Sequence, residues 1–393
     1  MIIGDFYEMQ EPSTWAELPA AFSFSTLQAL SACPRRWQLV HSTWGEHSRF
    51  PERPQPAAIE GQIVHEALDL LARELGLRGR PPIASAGFSG AVAACGFWDF
   101  FANRVNDWNH RLASHSRPGP RYVLRTKPQD LANQAICLFR GQYVPASELT
   151  PIVRASVPSH RSDGASSPLS VLHNQGSLSE IRIKHPSMPL IGVIDLVSLD
   201  ADGATTLIDF KTGDRKQSHE EQVLLYSLLW WRVTGELPRK AIVQYLDSSI
   251  SLEPKEEDLL GSERSVAGQI VQATNMLMAR PAVPTVGRDC RWCPVRPRCD
   301  EGWTWGETAT LADSGAKFID IEITISSEPT TTGFIGTRPS GEEVAIVFDA
   351  AVGSSLPVAE AGDRFRIVDV ACKEGGKEIR SEEHTSELQS RQS

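Results

Sequence analysis

Between residues 191 and 211 the apolar positions form two short runs, IGVIDLV and TTLIDF, each interrupted by a single acid. Runs of this length, rich in Ile, Val and Thr, predict buried β-strands, and LDADG at 199–203 predicts the turn that joins them as a hairpin. Elsewhere the period lengthens. Ile63, Ala67, Leu70 and Leu71 keep helical spacing within a helix predicted over 59–75. A helix is expected over 26–40, capped by Ser25, with Cys33 inside it and Pro34 making a local break. Another is expected over 91–115, where Phe97, Trp98, Phe100, Phe101 and Trp108 supply an apolar face. Residues 151–179, rich in Ser and Pro, read as a loop or insertion. A strand near 179–184, a helix carrying Gln222, a strand at 239–246 and a helix at 254–278 complete the region.

From Lys317 the pattern changes to a period of two: Ile319, Ile321, Ile323 and Ile325 alternate with Asp320, Glu322, Thr324 and Ser326. Further strand-like runs at 344–348 and 364–370 predict a small all-β unit, OB-like or a packing appendage. The expected organisation is an α/β core over 1–305, with a mixed central sheet flanked by helices and a helical N-terminal region, followed by the β unit over 316–379. Residues 380–393 begin with RSEEHTSELQS, which resembles the translation of a sequencing-adapter oligonucleotide. The natural reading frame is expected to continue differently past Ile379.

Chemistry enters through the hairpin. Positions i and i+2 of a strand share a face, so Asp209 and Lys211 point into one cleft while Phe210 points away and leaves its carbonyl beside them. A carboxylate can hold a divalent cation, and an ammonium beside it can orient water or stabilise charge on a phosphate under attack. Asp195, alone in an apolar strand, is costly to bury unless paired or bound to metal, and the hairpin brings it near Asp209. His65 reads by itself as an ordinary helix histidine. Gln222 and Tyr226, four apart on one helix face, could reach a nucleotide or serve only the core.

Taken in order, GxxxHEAL at 61–68, GVIDLV at 192–197, DFKTG at 209–213 and QxxxY at 222–226 resemble the RecB-type branch of the PD-(D/E)xK nuclease superfamily. The resemblance implies a restriction-endonuclease-like core with His65, Asp195, Asp209 and the Phe210 carbonyl as ligands for Mg²⁺ or Mn²⁺. It also implies Lys211 as the catalytic lysine and Gln222 with Tyr226 as DNA-positioning groups. Hydrolysis of DNA, exonucleolytic on single-stranded ends, is the activity expected, in repair, recombination, CRISPR adaptation or phage defence. A non-catalytic DNA-binding or scaffold subunit of a helicase–nuclease complex is the alternative, and the intact His65, Asp195, Asp209 and Lys211 argue against it. The chain has no GxxxxGK[ST] loop, so a helicase or defence-system partner would be a separate protein.

Cys290, Cys293 and Cys299 lie in one short loop, and Cys33 is far upstream. Zinc ribbons use two paired CxxC units, and the second pair is missing. The pattern resembles instead the cluster-bearing members of the same branch, AddB-like and CRISPR-adaptation nucleases, which implies a [4Fe-4S] cluster, with structural zinc as the alternative. The chain carries seven cysteines, no signal-like N-terminus and no apolar run of membrane-span length, which suggests a cytoplasmic protein. Its net charge of −10 disfavours general nucleic-acid binding. A local basic surface is nevertheless expected where Arg35 and Arg36 meet Arg288, Arg291, Arg296 and Arg298, with Arg121, Arg125 and Lys127 adding to it.

Overall fold

The computed structural model describes residues 2–3, 6–8, 11–45, 49–50, 52, 54–113, 123–148, 167–311, 318–330, 333–348, 360–372 and 378–381. Two short strands, β1 (Ile2–Ile3) and β2 (Phe6–Glu8), come first. The predicted first helix is two helices, α1 (Phe24–Ala32) and α2 (Pro34–His41), because Cys33 has extended backbone. Pro34 forces this break by disfavouring helical backbone at the residue before it. Ser23, rather than Ser25, caps α1 by accepting from the Thr26 N–H. Cys33 closes α1 and caps α2, which gives its sulfur a fixed place in the fold.

The long helix α3 (Pro56–Leu77) buries Ile63, Val64, Ala67, Leu68, Leu71, Ala72 and Leu75, a stripe repeating every three to four residues. Full burial of an Ile, Leu or Val side chain contributes about 1.5–3 kcal/mol, so this stripe holds the helix to the sheet. The helix predicted over 91–115 is split at Cys95–Gly96 into α4 (Ala86–Ala94) and α5 (Phe97–Ala113), with Gly96 at φ 59°. Next come α6 (Pro128–Arg140) and α7 (Pro168–Gln175). The expected loop over 151–179 therefore contains a helix, and residues 151–166 of it lie outside the described residues.

The central sheet then forms from β3 (Ser177–Lys184), β4 (Ile191–Leu199), β5 (Thr205–Phe210), β6 (Lys240–Gln244) and β7 (Ser249–Leu252), in that spatial order. All pairs are antiparallel except β5–β6, whose crossover is α8 (Gln217–Thr234). α9 (Glu256–Leu277) follows, and α10 (Asp300–Leu311) succeeds the cysteine loop. One face of the sheet packs Leu196, Ile208 and Phe210 against α3–α6, and the other packs Ile194, Val197 and Leu207 against α1, α8 and α9. Every residue of β5 is buried, so its acid sits at the centre of the layered core. Gly192 permits the close approach of β4 to α8, where an added Cβ would fall 2.8 Å from Leu229 and 3.0 Å from the Tyr226 ring.

The C-terminal strands are β8 (Phe318–Ile325), β9 (Gly333–Thr337), β10 (Glu343–Phe348), β11 (Arg364–Cys372) and β12 (Glu378–Ser381). They close in the order β8-β9-β10-β12-β11-β8, antiparallel except β10–β12. This five-stranded Greek-key barrel has the strand order of an OB-fold. β2 adds to β11 from the far end of the chain, so β1 and β2, expected within the α/β core over 1–305, extend the barrel sheet instead. Arg380 and Ser381 of the adapter-like tail lie in β12, and residues 382–393 are outside the described residues.

The barrel is docked on the cysteine loop. Arg366, 4% exposed, donates to Glu322 at 2.9 Å, to Asp300 at 2.7 Å and to the Pro297 carbonyl at 3.0 Å, and lies 5.1 Å from the Trp303 ring. Arg366→Met leaves Glu322 buried without one of its cations, and removing one partner of such a pair costs about 3–5 kcal/mol. Urea denaturation is expected to show a loss of this size, and a loss below about 1 kcal/mol would show that the junction contributes little.

Candidate active site

The hairpin β4–β5 pairs regularly from Leu196↔Ile208 to Leu199↔Thr205 and opens beyond, where Asp195 and Asp209 stand. Asp195 Oδ2 accepts the Phe210 N–H at 2.7 Å and lies 3.4 Å from His65 Nδ1 of α3. Asp209 Oδ2 is sealed from solvent, and the Lys211 ammonium stands 2.8 Å away. Burial, then the neighbouring Asp195 charge, pushes the Asp209 carboxyl up to about 7 despite Lys211 and His65. Burial opposes protonation of His65, but the Asp195 carboxylate outweighs it and raises that pKa. A buried acid whose ionisation is opposed beside a second carboxylate forms a site that a divalent cation relieves.

A third acid, missed in the sequence, completes the group. The ligand atoms of His65, Glu180 and Asp195 all lie within 4.8 Å of one another, the one such set among the described residues. Glu180 has φ 48°, an uncommon backbone for this side chain, and it interrupts the alternation of β3. Ser179 donates to Asp69 of α3 at 2.6 Å, and Glu180 also turns toward α3 to meet His65, so two successive residues share a face. β4 makes the matching break, since Asp195 and Leu196 both line the cleft under α3. Burial first, then Asp195, raises the Glu180 pKa to about 7. The only sequence signal was an acid in the strand before the hairpin.

Gln222 and Tyr226 lie on α8, which packs on the sheet face that carries Leu207. Lys211 Nζ donates to Gln222 Oε1 at 3.0 Å, and Gln222 Nε2 donates to the Tyr226 hydroxyl at 2.7 Å. Tyr226 is 7% exposed, and burial raises its phenol pKa. Gln222, itself held by Tyr226, thus fixes the position of the lysine. At the front, an added Cβ on Gly61 would lie 3.0 Å from Thr212 Oγ1, so the GxxxH glycine lets α3 approach the turn after Lys211.

The four cysteines converge between α2 and α10 and form no disulfide. Cys33 Sγ accepts N–H bonds from Arg36 at 3.4 Å and Thr285 at 3.5 Å, and Cys290 Sγ accepts from Gly287 at 3.4 Å. An added Cβ on Gly302 would lie 3.4 Å from Cys299 Sγ and 3.7 Å from Cys290 Sγ, so the glycine leaves space beside both sulfurs. Burial pushes the Cys293 thiol up to about 12 and the Cys299 thiol up to about 11. Four converging cysteines with N–H donors beside two of their sulfurs could hold a structural metal ion or a metal cluster. Gln38 fastens the loop to α2, donating to the Ala279 carbonyl at 3.0 Å and accepting from the Ala282 N–H at 2.7 Å.

The expected basic surface is redistributed. Arg35 is occupied by the Ala282 carbonyl and Glu301, and Arg296 is buried beside the Trp303 ring, so neither presents a free face to phosphate. Arg36 lies near Cys293, and its charge lowers that thiol's pKa. The Arg291 side chain and Arg121 lie outside the described residues. Arg125 and Lys127 are exposed and flank Thr126, which bonds Glu60 of α3; they lie beside the active cleft instead of the cysteines.

Carboxylates, an imidazole and a lysine at the open end of a mixed sheet are the equipment of metal-dependent phosphodiester hydrolases. The family model of the PD-(D/E)XK nuclease superfamily matches residues 21–300, and the chain belongs to that superfamily. Its members are typically nucleases that act on DNA with Mg²⁺ or Mn²⁺. Among solved structures, the crystal structure of SSO0001 is similar at 19% identity and a TM-score of 0.21, over 33% of this chain. The match spans 64% of that protein. No curated protein matches. Among the described residues, no helix is long and apolar enough to cross a membrane.

Proposed function

We propose that this protein is a RecB-type, metal-dependent deoxyribonuclease, an exonuclease on single-stranded ends, whose cysteine loop carries a [4Fe-4S] cluster. The observation that carries the nuclease reading is the convergence of His65, Glu180 and Asp195 within 4.8 Å beside the Asp209–Lys211 pair. His65, Glu180, Asp195, Asp209 and the Phe210 carbonyl would hold Mg²⁺ or Mn²⁺, which would supply Lewis acidity for hydrolysis of the phosphodiester. Lys211 faces the reacting phosphate and stabilises the charge that builds on it. Gln222, fixed by Tyr226, holds that ammonium in place. Cys33, Cys290, Cys293 and Cys299 ligate the cluster and tie α2 to the loop before α10. The preference for single strands is supported by the OB-like strand order of the barrel.

Digestion of end-labelled single and double strands with and without Mn²⁺ tests the reading. Metal-dependent shortening of single strands from one end is expected, and no cleavage under any metal condition would overturn it. Glu180→Gln is expected to weaken Mn²⁺ binding at least ten- to a hundredfold, the loss typical even of outer partners of a metal site. Titration calorimetry with Mn²⁺ reads this directly, and unchanged affinity would remove Glu180 from the ligand set.

A further inference from the structure

Arg182 and Lys184, two cations of β3, are left over by this site. Both are exposed, and neither has a hydrogen bond or ion pair with a described residue. Their neighbours Ile181 and Ile183 pack with Ile194 in the cluster under α8, so the cations project from the opposite face. That is the face on which Glu180 meets His65 and Asp195. In register, Arg182 lies across from Val193 and Lys184 from Ile191, and Val193 is 39% exposed two residues before Asp195. The face therefore runs outward in rows: the ligands Glu180 and Asp195, then Arg182 with Val193, then Lys184 with Ile191.

Alternate residues of a strand are about 6.7 Å apart. This is comparable to the step between successive phosphates of an extended nucleic-acid strand. β3 is an edge of the central sheet, so nothing in that sheet covers its outer side. An edge lysine alone could serve to block sheet-to-sheet pairing. That role does not account for a second unpaired cation between it and the ligand row, in a protein with a net charge of −10.

We propose that Arg182 and Lys184 form a phosphate track on β3 that binds the two phosphates next to the scissile one, on one side of it, with Val193 against the sugar between. The proposal rests on the nuclease reading and adds to it the path of the bound strand. A strand led along β3 by its backbone is held without regard to base sequence, because phosphate contacts position and do not specify.

The test is binding of a fluorescent single strand in Ca²⁺, followed by anisotropy, for the whole chain and for Arg182→Gln/Lys184→Gln. Each phosphate contact on a single strand contributes about 0.7 to the salt slope, so the double variant should lower the slope by about 1.4. Extrapolated from 1 M salt, that is roughly a 25-fold loss of affinity at about 0.1 M. Arg182→Lys/Lys184→Arg, which keeps both charges, should restore most of the slope. Strands in which single phosphates are replaced by neutral methylphosphonates locate the contacts. Two adjacent replacements should weaken binding to the wild-type protein and have no effect on the glutamine variant. If the glutamine variant keeps the wild-type slope, or remains sensitive at every position, the track is wrong while the nuclease reading stands. If the wild-type protein binds no strand at all, both fall together.

Discussion

Asp209→Asn lowers the cleavage rate at least about a thousandfold, the equivalent of ~4 kcal/mol of transition-state stabilisation. Asp209 is 1% exposed, and among the described residues Lys211 is the ion-pair partner of its inner oxygen, so an amide there cannot offset the loss of a ligand charge. Asp195→Asn acts similarly, with the added loss of a good acceptor for the Phe210 N–H. Lys211→Ala separates the roles: turnover falls by a comparable factor while Mn²⁺ affinity stays near the wild-type value, because the ammonium binds no metal. Single-turnover cleavage and Mn²⁺ calorimetry on the same variants are the paired measurements. Wild-type rates in both Asp209→Asn and Lys211→Ala would show that the centre lies elsewhere.

Cys299→Ser is the second large effect. Protein purified without oxygen is expected to be brown, absorbing near about 400 nm and holding roughly four irons per chain, and the variant to lose both. A cluster held by Cys33 and the loop at 290–299 would close most of the core chain into one ring. The chain-entropy model gives about 5 kcal/mol for a cross-link over so long a loop. Cys299 is also buried beside Leu39, Val295 and Trp303, so its loss loosens a packed cluster as well as the tie. Cys137→Ser is the control, since that thiol is exposed and its one contact is the Leu246 carbonyl at 3.5 Å. Iron analysis and urea denaturation check both variants. Colourless protein with one zinc per chain would replace the cluster by a zinc site.

Some of this was readable from local pattern alone. Acids in the apolar runs at Asp195 and Asp209 stood out because burying a charge is costly without a partner, and the LDADG turn brought them together. The period-two alternation after Lys317 gave the β unit, whose strands close in the order β8-β9-β10-β12-β11-β8. Other features had no local signature. Cys33 was placed inside one helix because its neighbours have helical periodicity, whereas Pro34 outweighs that pattern and makes the cysteine a junction. For Gln222 and Tyr226 the sequence shows only a shared helix face, and the packing of α8 on the sheet sets the chain of bonds from Lys211 through Gln222 to Tyr226.

The sequence by itself determined the element types, the hairpin with its two acids and lysine, and the set of cysteines. These depend on residue identity and short-range period, which fix backbone preference and the buried face within a few residues. Only the tertiary structure decided that Glu180 joins His65 and Asp195, that Arg366 of the barrel reaches the cysteine loop, and that β2 extends a sheet built mostly beyond residue 318. Each of these joins residues distant in sequence, and Glu180 reaches its partners only through a break in strand alternation that its own backbone supplies. Such contacts are set by which faces the folded core must bury together, and no local period records that choice.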